Sequence, residues 1–159
     1  MGLKTITIKR YRTRKIVLSE RQVSFNPYSF TTENLDKVTA LIRSNLTYDL
    51  LSRAYKNRVG RHRFSGFCVP ASEAIEMLFD DESLELWRGD HQGERHYFIK
   101  RQEQVIDATG DQYVDFPYHL AKKAQRYTFA QQYQTRSLNL AIRILRDDGV
   151  EVSDNLIIK

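Results

Sequence analysis

Residues 65–79 read SGFCVPASEAIEMLF and place the only cysteine of the chain, Cys68, directly ahead of a helical repeat. Ala71, Ala74, Ile75, Leu78 and Phe79 recur at intervals of three and four, the spacing that gathers apolar side chains on one helix face, and Pro70 is tolerated in a first turn. The spacing predicts a helix from Val69 to Phe79 with the thiol at its start. A thiolate at that position meets unpaired backbone N–H groups and the positive end of the helix dipole. A lone cysteine is more often a small buried hydrophobe, so the position acquires chemical meaning only if a base and an orienting group can reach it.

Downstream, LELWRG reads as a strand, DHQGE as a turn, and RHYFIKRQEQVIDAT as a hairpin with a polar tip near residues 101–104. His96 lies on the first arm and Asp107 on the second. A two-residue tip at Arg101 and Gln102 sets these side chains directly opposite one another; a four-residue tip makes them diagonal neighbours on the same face, and a three-residue tip separates them. An imidazole braced by a carboxylate and presented to a thiol at a helix start follows the Cys-His-Asp logic of acyl transfer. The competing reading has His96 as a satisfied core histidine and Asp107 as a turn cap.

Upstream, residues 3–9 and about 14–25 alternate weakly as one or two short strands. After the turn NPYSF, Leu35, Val38, Leu41 and Ile42 mark a helix capped by Thr31 or Thr32, and TYDLLSRAYKN suggests a second short one with Leu50, Leu51, Ala54 and Tyr55 on one side. RVGRHRFSG interrupts the pattern. Near the C-terminal end, Leu138, Ala141, Ile142 and Leu145 mark a last helix ended by Gly149. Helices, a cysteine-led helix and then antiparallel strands make an α+β layout.

The chain has 159 residues, enough for one domain with a core, and a single domain over residues 1–159 is expected. Hydrophobic residues make up 41% and charged residues 28%, with nine Tyr and eight Phe, which argues against disorder. No apolar run is long enough to span a bilayer and the start lacks a signal-peptide core, so no membrane association and a cytoplasmic location are expected. One cysteine excludes an internal disulfide and a multi-thiolate metal site, and no zinc-ligand spacing occurs among the histidines; neither metal nor cofactor is expected. The net charge of +5 resides at the front, where residues 1–27 carry seven Lys/Arg against one Glu. Basic residues across 4–21 suit nucleic acid or an acidic partner, or else a solvated edge hairpin whose cations discourage edge pairing.

Three blocks, GFCVPASEAIEML, RHYFIKRQEQVIDATGDQY and YTFAQQYQTRSLNLAIRIL, together resemble a family of small phage and bacterial proteins related to papain-like and transglutaminase-like cysteine hydrolases, the YunG-like group among them. The resemblance covers roughly residues 46–146, with residues 1–27 as a basic extension that has no counterpart. It implies a nucleophile at the N-terminus of a helix packed on an antiparallel sheet, with Cys68 as nucleophile, His96 as base and then acid, and Asp107 as orienter, acting on a protein or peptide amide without a cofactor. Gln112 occupies the glutamine of the Asp-Gln segment, as a positioning residue or a structural hydrogen-bonding one. Ser72 and Glu73 match a Ser-Glu-Ala step suited to anchoring the helix, and Pro70 departs from the small or β-branched residue often found there.

The glutamine that papain uses in its oxyanion hole has no equivalent, which leaves the Cys68 N–H as the dependable donor beside an unidentified second group. His62 stands in the loop before the thiol, within reach of an anionic substrate group or simply solvated, and Trp87 is core or an aromatic wall beside the sulfur. His91 and His119 fall in a turn and a connection. The alternative to an enzyme is a non-catalytic binding protein on the same scaffold that uses the basic segment.

Overall fold

Ile6 and Ile8 alternate with polar residues, and Val23 and Phe25 do the same on the return, so the N-terminal segment folds as an antiparallel hairpin with these four side chains buried. Its strands are β1 (Lys4–Tyr11) and β2 (Val17–Phe25) in a computed structural model that describes residues 2–13, 15–58, 62–125 and 133–158. The stretch expected to be an extension is therefore one wall of the molecule. Several of its cations are engaged internally. Lys4 Nζ donates to the carbonyls of Glu76 and Phe79 at 3.0 and 2.8 Å, Lys9 faces Glu20 at 3.9 Å, and Arg21 grips both oxygens of Asp154 at 2.9 and 2.8 Å. Arg14 of that segment lies outside the described residues.

Helix α1 (Thr32–Ser44) starts where expected, Thr31 Oγ1 accepting from the Asn34 N–H at 3.1 Å, and it buries Val38 and Ile42. The second helix is split instead of continuous: a 3-10 turn (Tyr48–Leu50) is followed by extended Leu51 and Ser52 and then a single turn, α2 (Arg53–Lys56). Adjacent Leu50 and Leu51 both enter the core, and Ala54 is left exposed. Residues 59–61 of the interrupting loop and 127–132 of the third sequence block are outside the described residues.

Helix α3 (Cys68–Leu78) begins one residue earlier than the spacing predicts, with Pro70 inside its first turn, and the predicted apolar positions are all buried. It is followed by β3 (Leu84–His91), β4 (Glu94–Arg101), β5 (Gln104–Ile106) and β6 (Lys122–Lys123), which form an antiparallel sheet in the order β5-β4-β3-β6. The β3–β4 turn is Gln92-Gly93, both at positive φ (52° and 79°), the conformation that matches strand twist in tight hairpins. Helix α4 (Thr135–Asp147) buries Leu138, Ala141, Ile142 and Leu145 as its spacing requires. The strand that follows it, β7 (Val152–Ile158), is not predicted by the sequence reading; it pairs antiparallel with β2 to complete a second sheet, β1-β2-β7. The architecture is α+β, with one continuous apolar cluster reaching from Ile6 through α1, α3 and both inner strands to Leu145.

Glu73 joins the two long core helices. Its carboxylate, 2% exposed, accepts the Gln134 backbone N–H at 3.0 Å and the Ser137 hydroxyl at 2.7 Å, and so caps α4 from α3. Ser72 on the same turn donates to the Tyr97 carbonyl at 3.2 Å, tying α3 to β4. Both residues are anchors, as expected of them. Glu73→Ala leaves a buried N–H and a hydroxyl without their acceptor and is expected to destabilise the protein by about 2–4 kcal/mol in urea denaturation, with Glu73→Gln losing less.

Candidate active site

The β4–β5 turn occupies Gln102 and Glu103, so Arg101 pairs with Gln104 and Ile99 with Ile106. This tip lies one residue later than the two-residue reading that set His96 opposite Asp107. Asp107, just beyond β5, is instead the diagonal neighbour of His96 on the same face, and the contact is made: His96 Nε2 and Asp107 Oδ2 are 2.6 Å apart, with the imidazole fully buried. The opposite side of the hairpin, Ile99 and Ile106 with partly buried Tyr97, packs on the core as predicted.

Asp107 is itself held from three directions. The Tyr118 hydroxyl donates to the same Oδ2 at 2.7 Å, and Oδ1 accepts from the Thr109 N–H at 3.3 Å and, more weakly, from its hydroxyl at 3.5 Å. Gly110 makes room for this arrangement, because a Cβ there would lie 2.9 Å from the Tyr118 hydroxyl and 3.0 Å from Oδ2. Gln112 does not reach the ring; its Nε2 donates to the Thr109 carbonyl at 3.1 Å and closes the 3-10 turn Gly110–Gln112, which is its structural reading.

Aromatic rings enclose the imidazole. Tyr113 and Phe116 meet it edge-on, with centroids at 4.8 and 5.0 Å, and Phe98 stacks at 6.3 Å. Gly89, paired with His96 across the strands, lets Phe116 approach, since a Cβ there would fall 2.7 Å from the ring. His91 touches Tyr113 and Phe116 at 5.8 and 5.7 Å, so it is part of this shell in addition to ending a strand.

Cys68 is half-buried at the first position of α3. The turn before it depends on Gly66, at φ +89°, where a Cβ would lie 2.7 Å from the Tyr55 ring and the backbone conformation disfavours any side chain. The buried His96 Nδ1 makes no hydrogen bond of full geometry with a described residue, and it is toward Cys68 that the ring's remaining interaction runs. Burial alone would push the imidazole toward its neutral form. The bond to Asp107 and the interaction with Cys68 outweigh burial and hold the pKa up at about 9. Burial and Asp107 raise the Tyr118 pKa, and burial raises that of Tyr113, with Cys68 adding to it.

The remaining candidates are elsewhere. His62 is exposed and accepts the Phe64 N–H at 3.1 Å in a local turn ahead of the thiol. Trp87 is paired with Phe98, farther along the sheet from the Gly89–His96 rung, with Lys100 Nζ 4.3 Å over its ring. The 3-10 turn Tyr118–Leu120 contains exposed His119. Among the described residues no group of three or more His, Cys, Asp or Glu is placed to hold a metal, and no described helix is long and apolar enough to cross a membrane. Tyr118, Phe116 and Tyr113 are missed by the sequence reading; their one signal is the density of aromatic residues between 113 and 118, a few positions after Asp107. No family model, curated protein or solved structure matches the chain.

The raised His96 value has a thermodynamic consequence. Its folded-state pKa of about 9 lies above the ordinary 6.5, so the contribution to stability is complete below pH 6.5 and is lost as pH rises to 9. Denaturation at stepped pH should lose of the order of 3 kcal/mol over that window, and Asp107→Asn should flatten the slope. Tyr118→Phe removes one donor to the carboxylate without creating a cavity and should cost about 1–2 kcal/mol.

Proposed function

We propose that the chain is a papain-like or transglutaminase-like cysteine hydrolase or acyltransferase acting on an amide bond, with Cys68 as nucleophile, His96 as proton carrier and Asp107 as orienter. The observation that carries this reading is the buried imidazole, clamped 2.6 Å from a carboxylate on one side and coupled to the thiol at a helix start on the other. A buried histidine with a merely structural role is ordinarily satisfied at both nitrogens, whereas His96 Nδ1 has no hydrogen-bond partner among the described residues. Nε2 bound to Asp107 fixes the ring so that Nδ1 is the nitrogen that exchanges a proton with sulfur.

In the reaction the imidazole holds the thiol proton, and the thiolate adds to the carbonyl carbon as the carbonyl electron pair moves onto oxygen. Collapse of the tetrahedral intermediate expels the amine, which takes the proton from His96 Nδ1, and leaves a thioester on Cys68. Water or a second amine then gives a proton to His96 Nδ1 as it adds to the thioester carbon, and collapse of the second intermediate breaks the C–S bond and returns the Cys68 thiolate. Water gives peptide hydrolysis or glutamine deamidation, and an amine gives transfer. The enclosing Tyr113, Phe116 and Phe98 rings keep solvent from the His96–Asp107 pair, where the hydrogen bond gains strength from the low dielectric.

The scaffold-only alternative, with residues 4–21 holding nucleic acid, draws little from the hairpin, because Lys4, Lys9 and Arg21 are engaged by groups of the molecule itself. The enzymatic reading is tested by the rate at which iodoacetamide labels Cys68, followed by mass spectrometry near pH 6.5. Wild type should label about 10-fold faster than free cysteine, since a positioned imidazole takes up the thiol proton as sulfur reacts. His96→Ala should fall to the free-cysteine rate; wild type and variant both reacting at that rate would overturn the assignment.

A further inference from the structure

An acyl-transfer site requires donors aimed at the oxygen that becomes negative when sulfur adds to the carbonyl. The start of α3 supplies only part of this. The Cys68 and Val69 N–H groups are among those a helix leaves without an intrahelical partner, Pro70 has none to give, and the Ala71 N–H is taken by the Phe67 carbonyl at 3.0 Å.

The first turn of α4 brings a second donor to the same place. Arg136 is partly buried and fixed at two of its three nitrogens: Nε donates to Gln134 Oε1 at 2.5 Å, and Nη1 reaches the carbonyls of Leu50 and Gly66 at 3.3 and 3.5 Å. Gly66 stands two residues before the nucleophile, so the longer of the Nη1 bonds places the guanidinium beside the turn that delivers Cys68. Glu73, on α3, holds that first turn of α4 through the Gln134 N–H and Ser137. Nη2 makes no hydrogen bond with any described residue. Burial lowers the Arg136 pKa, and attraction to Cys68 is the foremost interaction opposing it, ahead of Glu73 and Tyr55.

Resting on the reading of Cys68 as an acyl-transfer nucleophile, we propose that Arg136 is the missing oxyanion donor: its Nη2 and the Cys68 backbone N–H together receive the substrate carbonyl oxygen in the tetrahedral intermediate. The count of free donors points to one oxygen as the target. Binding a carboxylate or phosphate in the forked manner uses two guanidinium nitrogens side by side, and here Nε and Nη1 already serve protein acceptors. A single free nitrogen turns one N–H toward one acceptor, which suits a single anionic oxygen. Arg136 is thus a catalytic residue in this site, and it supplies a fixed charge where papain-like enzymes with a glutamine use a neutral amide.

Two thiol reagents separate this role from others. With p-nitrophenyl acetate, sulfur bonds to the acetyl carbon through an oxyanion and p-nitrophenolate leaves with its electron pair. With iodoacetamide, sulfur displaces iodide at a saturated carbon and no oxyanion forms. Each rate is taken at its high-pH plateau, where the thiol is fully ionised. Arg136→Gln should slow acylation about 10- to 100-fold while changing alkylation less than about 3-fold. Arg136→Lys, which keeps the charge and a single donor nitrogen, should fall between, and it carries the comparison if thermal melting shows the Gln variant unfolded. Equal slowing of both reactions, or no loss of acylation, overturns the oxyanion assignment and leaves Cys68 as nucleophile. Wild-type Cys68 that reacts with neither reagent faster than free cysteine removes the nucleophile itself, and the role of Arg136 with it.

Discussion

The contact between His96 and Asp107 governs the geometry around it. A buried imidazole bonded to a buried carboxylate is stable only if every other lone pair and proton of the two groups is accounted for, since an unpaired charge in the interior costs several kcal/mol. Tyr118, Thr109 and the bare backbone at Gly110 all answer to that requirement, and the aromatic rings exclude the water that would otherwise compete. One buried nitrogen, His96 Nδ1, is left over without a hydrogen-bond partner among the described residues, and Cys68 is the other group that holds the imidazole pKa up. The site is thus a polar network complete except at that one nitrogen.

How much of this was legible in the sequence follows from the range of the forces involved. Helices α1, α3 and α4 are readable because burial of one face imposes a local period, and Val38, Ile75 and Leu138 are buried as that period demands. The shared face of His96 and Asp107 is readable from strand parity alone. Their diagonal register is not, because it turns on one residue of hairpin geometry, with Gln102 rather than Arg101 opening the turn at φ +53°. Tyr118, Phe116 and Arg136 escape a sequence reading for a different reason. The first two belong to a segment without periodicity, and the third sits on an otherwise ordinary amphipathic helix; what makes them part of the site is proximity across the fold.

Charge distribution carries a similar lesson. Seven basic residues near the N-terminal end read as a footprint for an anionic partner, yet the strand pairing turns Lys4 to the last carbonyls of α3 and Arg21 to Asp154 on β7. Sequence neighbours that look like a patch are dispersed by alternation, since successive strand residues point to opposite sides. Net charge says little about a surface until the strands are placed.

The pairing of β2 with β7 joins residues from Phe25 and Val152 to Ser19 and Ile158, far apart in the chain, and Arg21 bonds Asp154 across it, whereas α3, β3, β4 and β5 meet between Cys68 and Ile106. Closing so long a loop delays the reward of its contacts and makes this sheet the slow element of assembly. Helix α3 and the β3–β4–β5 strands can consolidate as a local unit first, with the remote ladder forming afterwards. Amide protons of β7 would accordingly be the first to exchange when the native molecule breathes.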